Sequence, residues 1–321
     1  MKQNNSAMKA ITYSRFGDLN VLQTVDEPQP VAQADQVLVH VKAVSLNPLD
    51  WKIRKGEMRL MSGSTFPKHT GTDFAGIVER VGSSVTHVEP GDEVFGVVKN
   101  GMKEGALAEY VAVAASHVWK KPTSLEYAQA ASIPTVGAAA VAALEKMGPL
   151  QAGTQVLVNG ATGGFGMFLL QLLSNTDATI TAVTSTNALE LANAWGADRV
   201  IDYKKENVLS QQATYDVVID LSGKMGYRNA KRILKRRARF INVIPQPADI
   251  LASWVNNWFT GKKHLVLLSG PSSENMNRLI KAIDDGLQVE VSKTFPFAQA
   301  KEAYQYAERG GYVGKVAVTV A

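Results

Sequence analysis

The sequence predicts an α/β protein with two domains, one mostly β and one built on a doubly wound parallel sheet. Three observations carry that expectation. The chain has 321 residues, and at ~150 residues per domain this length accommodates two. Its first third is a succession of short β-branched runs separated by Gly, Pro, Asp and Asn, the pattern of strands and tight turns. Its middle alternates short apolar runs with helical stretches of ~10–15 residues, and strands joined by such helices lie parallel with both faces covered.

The elements follow in order. "KAITYSRF", "QVLVHVKAVSL", "FAGIVERVG", "DEVFGVV" and "AEYVAVAASHVWK" read as strands between residue 8 and about 125. From about 126, "LEYAQAASIPTVGAAAVAALEKMG" is rich in Ala and helical in pattern, interrupted at Pro134 and Gly137. Strand "TQVLVNG" then leads into helix "GGFGMFLLQLLSN" and strand "ATITAVTS" into helix "ALELANAWGA", while "DRVIDY", "YDVVIDLSG" and "RFINVIP" supply three further strands. The last fifth is mixed, with "MNRLIKAIDDG" as a helix and "GKVAVTVA" as a closing strand. The simplest organisation inserts the parallel-sheet domain, residues 126–268, into a first domain made of residues 1–125 and 269–321.

Composition bounds the chemistry. Hydrophobic residues make up 45% of the chain and charged residues 20%, an ordinary globular balance. With no cysteine and five histidines, disulfides, thiolate nucleophiles and sulfur-ligated zinc are excluded. The N-terminus "MKQNNSAMKA" has no apolar run behind its lysine, and no window approaches ~18 consecutive apolar residues, so the expectation is a cytoplasmic protein without a membrane span.

The net charge is +5 and the pI near 9.2. The densest basic stretch, "NAKRILKRRARF", reads as a helix with Ile233 and Leu234 on its buried side and Lys231, Arg232, Lys235, Arg236, Arg237 and Arg239 on a solvated face. Nucleic-acid binding is its second reading. "ILASWVNNWFTGKKHLVLL" offers Trp254, Trp258 and Phe259 as a cleft wall, a dimer surface or core aromatics, core being the commoner fate.

The most informative segment is "QVLVNGATGGFGMFLLQ". A strand runs into Gly160-Ala-Thr-Gly-Gly-Phe-Gly166 and then directly into a helix. Glycines there let the main chain approach a pyrophosphate, and the helix N-terminus offers unpaired N–H groups and a positive dipole end. Thr162, Gly163, Gly164, Phe165 and Gly166 are therefore candidate dinucleotide contacts, and the second strand at the proper distance strengthens the reading over that of a bare turn. An NAD site carries Asp or Glu at the end of that second strand. Here Thr184, Ser185, Thr186 and Asn187 stand there, which favours NADPH, with Tyr203, Lys204 and Lys205 available to add a stack or charge. Leu221 and Ser222, and Val243 and Ile244, end two later strands, where α/β sheets hold ligands.

Taken together with "NPLDWKIRKG", "GTDFAGIVERVGSSVTHVEPGDEVFG", "GALAEYV" and the terminal "GKVAV", the glycine loop resembles the medium-chain dehydrogenase/reductase superfamily. More narrowly it is similar to the zinc-free quinone oxidoreductase and enone reductase branch, over nearly the whole chain. That resemblance implies a GroES-like catalytic domain, an inserted Rossmann domain, an active site in the cleft between them and a homodimer. It also implies that Asn47, Thr72 and Thr135 occupy positions where zinc-dependent relatives keep metal ligands, and these three are no zinc set. His69 and Asp73, four residues apart beside glycines, are read as loop structure, because an i, i+4 pair converges only on a helix. Three departures bear on substrate: Ala188 stands where relatives carry a phosphate-binding Lys, Ala139 where a Thr touches the nicotinamide, and Lys52 where a Tyr is common.

The chemistry expected from this resemblance is hydride transfer from NADPH to a quinone or to the C=C of an α,β-unsaturated carbonyl, acceptors that spread charge without a metal. Asn47 and Lys52 are the expected donors to the developing oxyanion, with Thr72 and Thr135 nearby and Thr135 also toward the cofactor. Lys52 reads equally as a surface lysine whose stem covers Trp51. The alternatives are a metal-free alcohol or aldehyde dehydrogenase and a non-catalytic module that binds NADPH or RNA.

Overall fold

Alternating buried valines build the first sheet. In the computed structural model, which describes residues 7–98, 104–243, 247–268 and 270–320, strand β3 (Gln36–Ser45) turns Val37, Val39, Val41 and Val44 into one apolar cluster. The chain divides into two units. The first comprises Met1–Thr135, Pro271–Ile280 and Val289–Ala321, and the second Val136–Gly270 and Lys281–Gln288.

In the first unit β1 (Ala7–Tyr13) lies between β2 (Gln23–Pro28) and β4 (Lys68–His69) in a small antiparallel sheet. The larger sheet joins β3 to β5 (Asp73–Val81), β6 (Glu93–Val97), β7 (Tyr110–Ala114), β8 (Val118–Lys120), β15 (Val291–Pro296) and β16 (Lys315–Thr319). Two registers matter for the site. Ser45 at the end of β3 faces Asp73 at the start of β5, and on its other side Ser45 faces Ala317 of β16. Three distant segments thereby converge where β3 gives way to helix α1 (Pro48–Arg54). Helices α2 (Arg59–Ser62) and α3 (Tyr127–Ala130) and the first two residues of α4 (Pro134–Met147) also belong to this unit. Pro134 begins α4, as a proline at a first helical position should, and Gly137 lies within it.

The second unit is a six-stranded parallel sheet, β9 (Gln155–Asn159), β10 (Thr179–Thr184), β11 (Arg199–Asp202), β12 (Tyr215–Asp220), β13 (Leu234–Asn242) and β14 (Lys263–Val266). Their spatial order is β11-β10-β9-β12-β13-β14. Renumbered from β9 this is 3-2-1-4-5-6, the doubly wound order whose switch point, between β9 and β12, is where such sheets hold a dinucleotide. Helices α5 (Gly164–Leu173), α6 (Leu189–Ala194), α7 (Tyr227–Ala230), α8 (Pro247–Phe259), α9 (Ser273–Asp284) and α10 (Ala300–Arg309) complete the chain; the last packs on the first unit's core through Ala303, Tyr304 and Ala307.

Two sequence expectations are corrected. The basic stretch is not a helix: α7 ends at Ala230, and Leu234, Lys235, Arg236 and Arg237 open strand β13. A break in register between Tyr215 and Val217 lets this charged segment leave the ladder before Arg239 rejoins it, so Ile233 and Leu234 are still buried while Arg236 and Arg237 face water. The aromatics of α8 are not core, since Trp254, Trp258 and Phe259 are 76%, 89% and 81% exposed; the helix docks by its polar residues instead.

The β3–β5 pairing tolerates no side chain at Gly76, where a Cβ would stand 2.1 Å from the carbonyl oxygen of His40. Gly76→Ala should therefore destabilise the first unit by at least about 1–3 kcal/mol, read as a lower urea midpoint in unfolding followed by circular dichroism.

Candidate functional site

In the second unit β9 ends at Asn159 and the chain turns at Gly160, whose φ of 81° favours glycine. The amides of Gly160 and Ala161 both donate to the Val183 carbonyl of β10, which holds the loop against the sheet. Gly166 is required for closeness, because a Cβ there would lie 2.3 Å from the Ala161 oxygen. Gly163 differs: a Cβ would meet nothing nearer than 3.7 Å, so the loop is open on the side where α5 begins. The first amides of that ten-residue helix have no intrahelical acceptors, and an open glycine edge in front of a helix N-terminus fits a pyrophosphate.

The rim of this loop is made of hydroxyls. Thr162 and Thr184 are buried and hydrogen-bonded to each other, and Ser185 donates to Asn187 Oδ1 at 2.6 Å. Tyr203, one residue past the end of β11, donates its amide to the Thr184 carbonyl, and its side chain is exposed. Asp202, a carboxylate at this edge that sequence reading overlooked, is paired in register with Thr184. It accepts from Thr186 Oγ1 at 2.7 Å and from the Lys204 amide at 3.0 Å, with Lys205 Nζ at 3.9 Å. These hydrogen bonds, Thr186 first, hold its pKa below the usual carboxylate value; the carboxylate is already engaged and does not stand free against a 2′-phosphate.

At the switch point Asp220 accepts from Asn159 Nδ2, the Ser222 amide and hydroxyl and the Met225 amide, at 2.7–3.0 Å. This fixes Leu221 and Ser222 at the end of β12. Val243 is half-buried past the end of β13, and Ile244 lies outside the described residues.

The first unit holds a buried polar network at the convergence of β3, β5 and β16. Asn47 caps α1, its amide donating to Asp50 Oδ2 at 2.7 Å. Its side chain donates from Nδ2 to Asp73 Oδ2 at 3.0 Å and accepts at Oδ1 from Lys315 Nζ at 2.6 Å. Thr72 Oγ1 donates to Asp50 Oδ1 at 2.7 Å, and Thr135 donates to Asp73 through both its hydroxyl (2.6 Å) and its amide (3.1 Å). All of these residues are buried except Thr135, which is half-buried. Asn47, Thr72 and Thr135 are thus brought into one network, and Lys52 is not. Lys52 is half-buried on α1, and no hydrogen bond or ion pair ties its ammonium to another described residue.

The geometry assigns hydrogens as well as positions. Thr72 and Thr135 give their hydroxyl hydrogens to carboxylates, so each presents lone pairs to anything further, while Asn47 keeps one amide hydrogen. Burial pushes the Asp50 carboxyl up to about 6; burial raises Asp73 as well and lowers Lys315. His69 and Asp73 are not partners: the His69 ring meets Glu27 at 2.8 Å in the small sheet. No group of three or more His, Asp or Glu suited to a metal ion occurs among the described residues. Lys315 and Asp202 were missed at the sequence level because no local pattern announces a partner in a distant strand.

Comparison with known proteins places two families on the chain, "Alcohol dehydrogenase GroES-like domain" over residues 33–123 and "Zinc-binding dehydrogenase" over residues 195–318. The 2-methylene-furan-3-one reductase of Solanum lycopersicum is 33% identical, over 98% of this chain and 79% of that protein. The chloroplastic NADPH-dependent alkenal/one oxidoreductase of Arabidopsis thaliana is also 33% identical, over 97% and 79%. Among solved structures, the quinone oxidoreductase of Coxiella burnetii superposes with a TM-score of 0.90 at 31% identity, covering 98% of this chain and all of that one.

Two outcomes test the network. Lys315→Met, which leaves the Leu46 carbonyl and Asn47 Oδ1 without their donor and removes a buried cation that acts on Asp50 and Asp73, should cost about 3 kcal/mol, with Lys315→Arg recovering part of the lost urea midpoint. Asp50 gives a pH signature. A carboxyl that ionises near 6 when folded, against 3.8 ordinarily, favours the folded chain only while protonated: that contribution is complete below about 3.8 and is lost as pH rises through about 6. The stability of the wild type relative to Asp50→Asn should therefore fall by on the order of 3 kcal/mol between about pH 4 and pH 7, measured by urea unfolding across that range.

Proposed function

Because the chain belongs to the medium-chain dehydrogenase/reductase superfamily, in its quinone oxidoreductase and enone reductase branch, we propose that it is an NADPH-dependent, zinc-independent reductase of quinones and α,β-unsaturated carbonyls. The observation that carries this reading is the state of Asn47, Thr72 and Thr135: a carboxamide and two hydroxyls whose hydrogens are held by Asp50 and Asp73. Such a set orients an organic acceptor and offers no ligands of the kind zinc takes. The names of the two plant relatives and of the Coxiella burnetii structure, an alkenal/one oxidoreductase, a furanone reductase and a quinone oxidoreductase, agree with the acceptor class.

Bound NADPH supplies a hydride from its nicotinamide ring. On the protein side, Gly163, Gly164, Phe165 and Gly166 receive the pyrophosphate, with Thr162 holding the loop. Thr184, Ser185 and Tyr203 would receive the 2′-phosphate, and Leu221, Ser222 and Val243 would face the remainder. Thr135, pinned by Asp73, offers oxygen lone pairs that suit the amide hydrogens of a carboxamide. The remaining hydrogen of Asn47 and the ammonium of Lys52 are the donors for negative charge developing on an acceptor oxygen. An acceptor that delocalises this charge, as an enolate or quinol does, is served by such donors alone. A homodimer and a cytoplasmic location belong to the same proposal; among the described residues no helix is long and apolar enough to cross a membrane.

The test is NADPH oxidation scanned over quinones, 2-alkenals, enones and simple aldehydes, with added zinc and with chelator. Turnover of the first three classes, indifferent to both additions, is the expected result; activity confined to aldehydes, or lost with chelator, would overturn the proposal. Lys52→Met should lower kcat by roughly a hundredfold with little change in the dissociation constant for NADPH. A change within about threefold would remove Lys52 from the site.

A further inference from the structure

Helix α8 is amphipathic in the wrong sense for a core helix. Its polar side faces inward: Ser253 is buried, and Asn257 exchanges two hydrogen bonds with the backbone of His264 on β14, at 2.7 and 2.8 Å. Its apolar side faces water, with Ile250, Trp254, Val255, Trp258 and Phe259 all exposed. The spacing of these five, i, i+4, i+5, i+8 and i+9, places them along one face of the helix. Large apolar side chains gathered on one exposed face are uncommon on a monomeric surface and mark a site of interaction.

The charge around this helix says what kind. Between Lys224 and Leu268 the chain carries ten Lys and Arg and a single acidic residue, Asp249, although its whole net charge is only +5; the rest of the chain is net negative by four. Lys224, Arg228, Arg232, Arg236, Arg237 and Lys263 are exposed. The basic residues reach the C-terminal end of α8 itself. A Cβ on Gly261, two residues past the helix, would lie 2.7 Å from the Arg236 carbonyl oxygen and 3.8 Å from Arg237 Cγ, and Lys263 Nζ donates to the Asn257 carbonyl. An aromatic face with two tryptophans, rimmed by cations, combines the two features of an interfacial helix on an acidic membrane.

We propose that α8 and the basic opening of β13 form a docking face for an anionic lipid bilayer, which the protein binds peripherally. Other occupants fit less well. A two-fold interface through this face would bring two strongly basic surfaces together, a like-charge contact that opposes association. A nucleic acid would answer the arginines and leave Ile250, Val255 and Phe259 in water. A bilayer surface answers both, taking the apolar side chains into its headgroup boundary and the cations against its phosphates. The inference is independent of the catalytic reading, and its readout needs no turnover.

The experiment uses the full chain with NADPH present. It measures co-flotation with vesicles of phosphatidylcholine alone or mixed with phosphatidylglycerol, alongside tryptophan emission. Binding to the mixed vesicles, with a blue shift of emission and weakening as salt rises, is expected, with little binding to neutral ones. The pair Trp254→Glu/Trp258→Glu should reduce the bound fraction at least roughly tenfold. Arg236→Glu/Arg237→Glu should abolish the preference for anionic lipid, and both variants should keep the wild-type circular dichroism and NADPH affinity. Should a variant fail that folding check, addition of a water-soluble anionic polymer to the wild type provides the second arm: release from the mixed vesicles, with loss of the blue shift, is expected, and binding that the polymer leaves unchanged would overturn the proposal. The proposal is overturned if the wild type stays unbound on anionic vesicles, or if the tryptophan pair leaves binding unchanged. It is equally overturned if that pair splits a dimer while lipid is ignored, or if salt-sensitive RNA retention takes the place of lipid binding.

Discussion

Two buried carboxylates and one buried ammonium, linked through the side chain of Asn47, form the constraint on which the first unit depends. Asp50 and Asp73 are buried, and Lys315, whose ammonium donates to the Leu46 carbonyl and Asn47 Oδ1, is a cation that acts on both at longer range. A charge removed from water at this depth is tolerated only when nearly every lone pair finds a donor. Asn47, Thr72 and Thr135 supply those donors. The C-terminal strand is thereby fastened to the junction of β3 and α1 by a contact spanning 268 residues of sequence. One requirement, to satisfy two acids, orders the end of the chain, the cap of α1 and the first turn of α4 together.

The second unit answers a different constraint, closeness of backbone. Gly166 is a glycine because α5 must approach the loop within a distance no Cβ permits, and Gly163 is a glycine with room in front of it. The difference between a filled and an open glycine separates packing from binding within one motif. The hydroxyl rim makes the same distinction for charge. Asp202 stands where a free carboxylate would compete with a phosphate, but Thr186, the backbone of Lys204 and the nearby Lys205 already occupy it. Its hydrogen bonds help to hold the rim in place, while the Ser185 hydroxyl is bonded to Asn187 nearby and Tyr203 is exposed.

Patterns of short period were legible in the sequence, and long-range pairings were not. Strand and helix alternation foretold the parallel sheet, and Gly160 to Gly166 foretold its loop, because both are written in neighbouring residues. Asn47, Thr72 and Thr135 could be named from motifs, yet the direction of their hydrogen bonds could not, since it is set by Asp50, Asp73 and Lys315, on helix α1 and strands β5 and β16. The stretch from Lys231 to Phe240 misled for a physical reason. Arg and Lys have good helix propensity and Ile233 with Leu234 fits a helical face, but Leu234 pairs with Tyr215 of β12 and Arg239 and Phe240 with β12 and β14, and these anchors at both ends draw the stretch into a strand against its intrinsic preference. Helix α8 misled by its composition: six large apolar residues in thirteen suggest a core, and only the inward direction of Ser253 and Asn257 reveals the opposite.

These constraints together narrow the chemistry. In water a hydroxyl can turn its hydrogen toward whatever is charged, and a flexible threonine would serve as a donor to any oxyanion. Here both threonines have spent that hydrogen on the carboxyl groups of Asp50 and Asp73, and turning either one back would leave a buried acid without its donor. The environment is therefore rich in fixed lone pairs and poor in mobile hydrogens. Such surroundings do little for an isolated alkoxide, whose charge sits on one atom and needs several donors. They suffice for an enolate or a quinol anion, whose charge is spread over a conjugated frame before the protein contributes anything. In the proposed function, a preference for conjugated acceptors rests on the same two acids that help hold the first unit together.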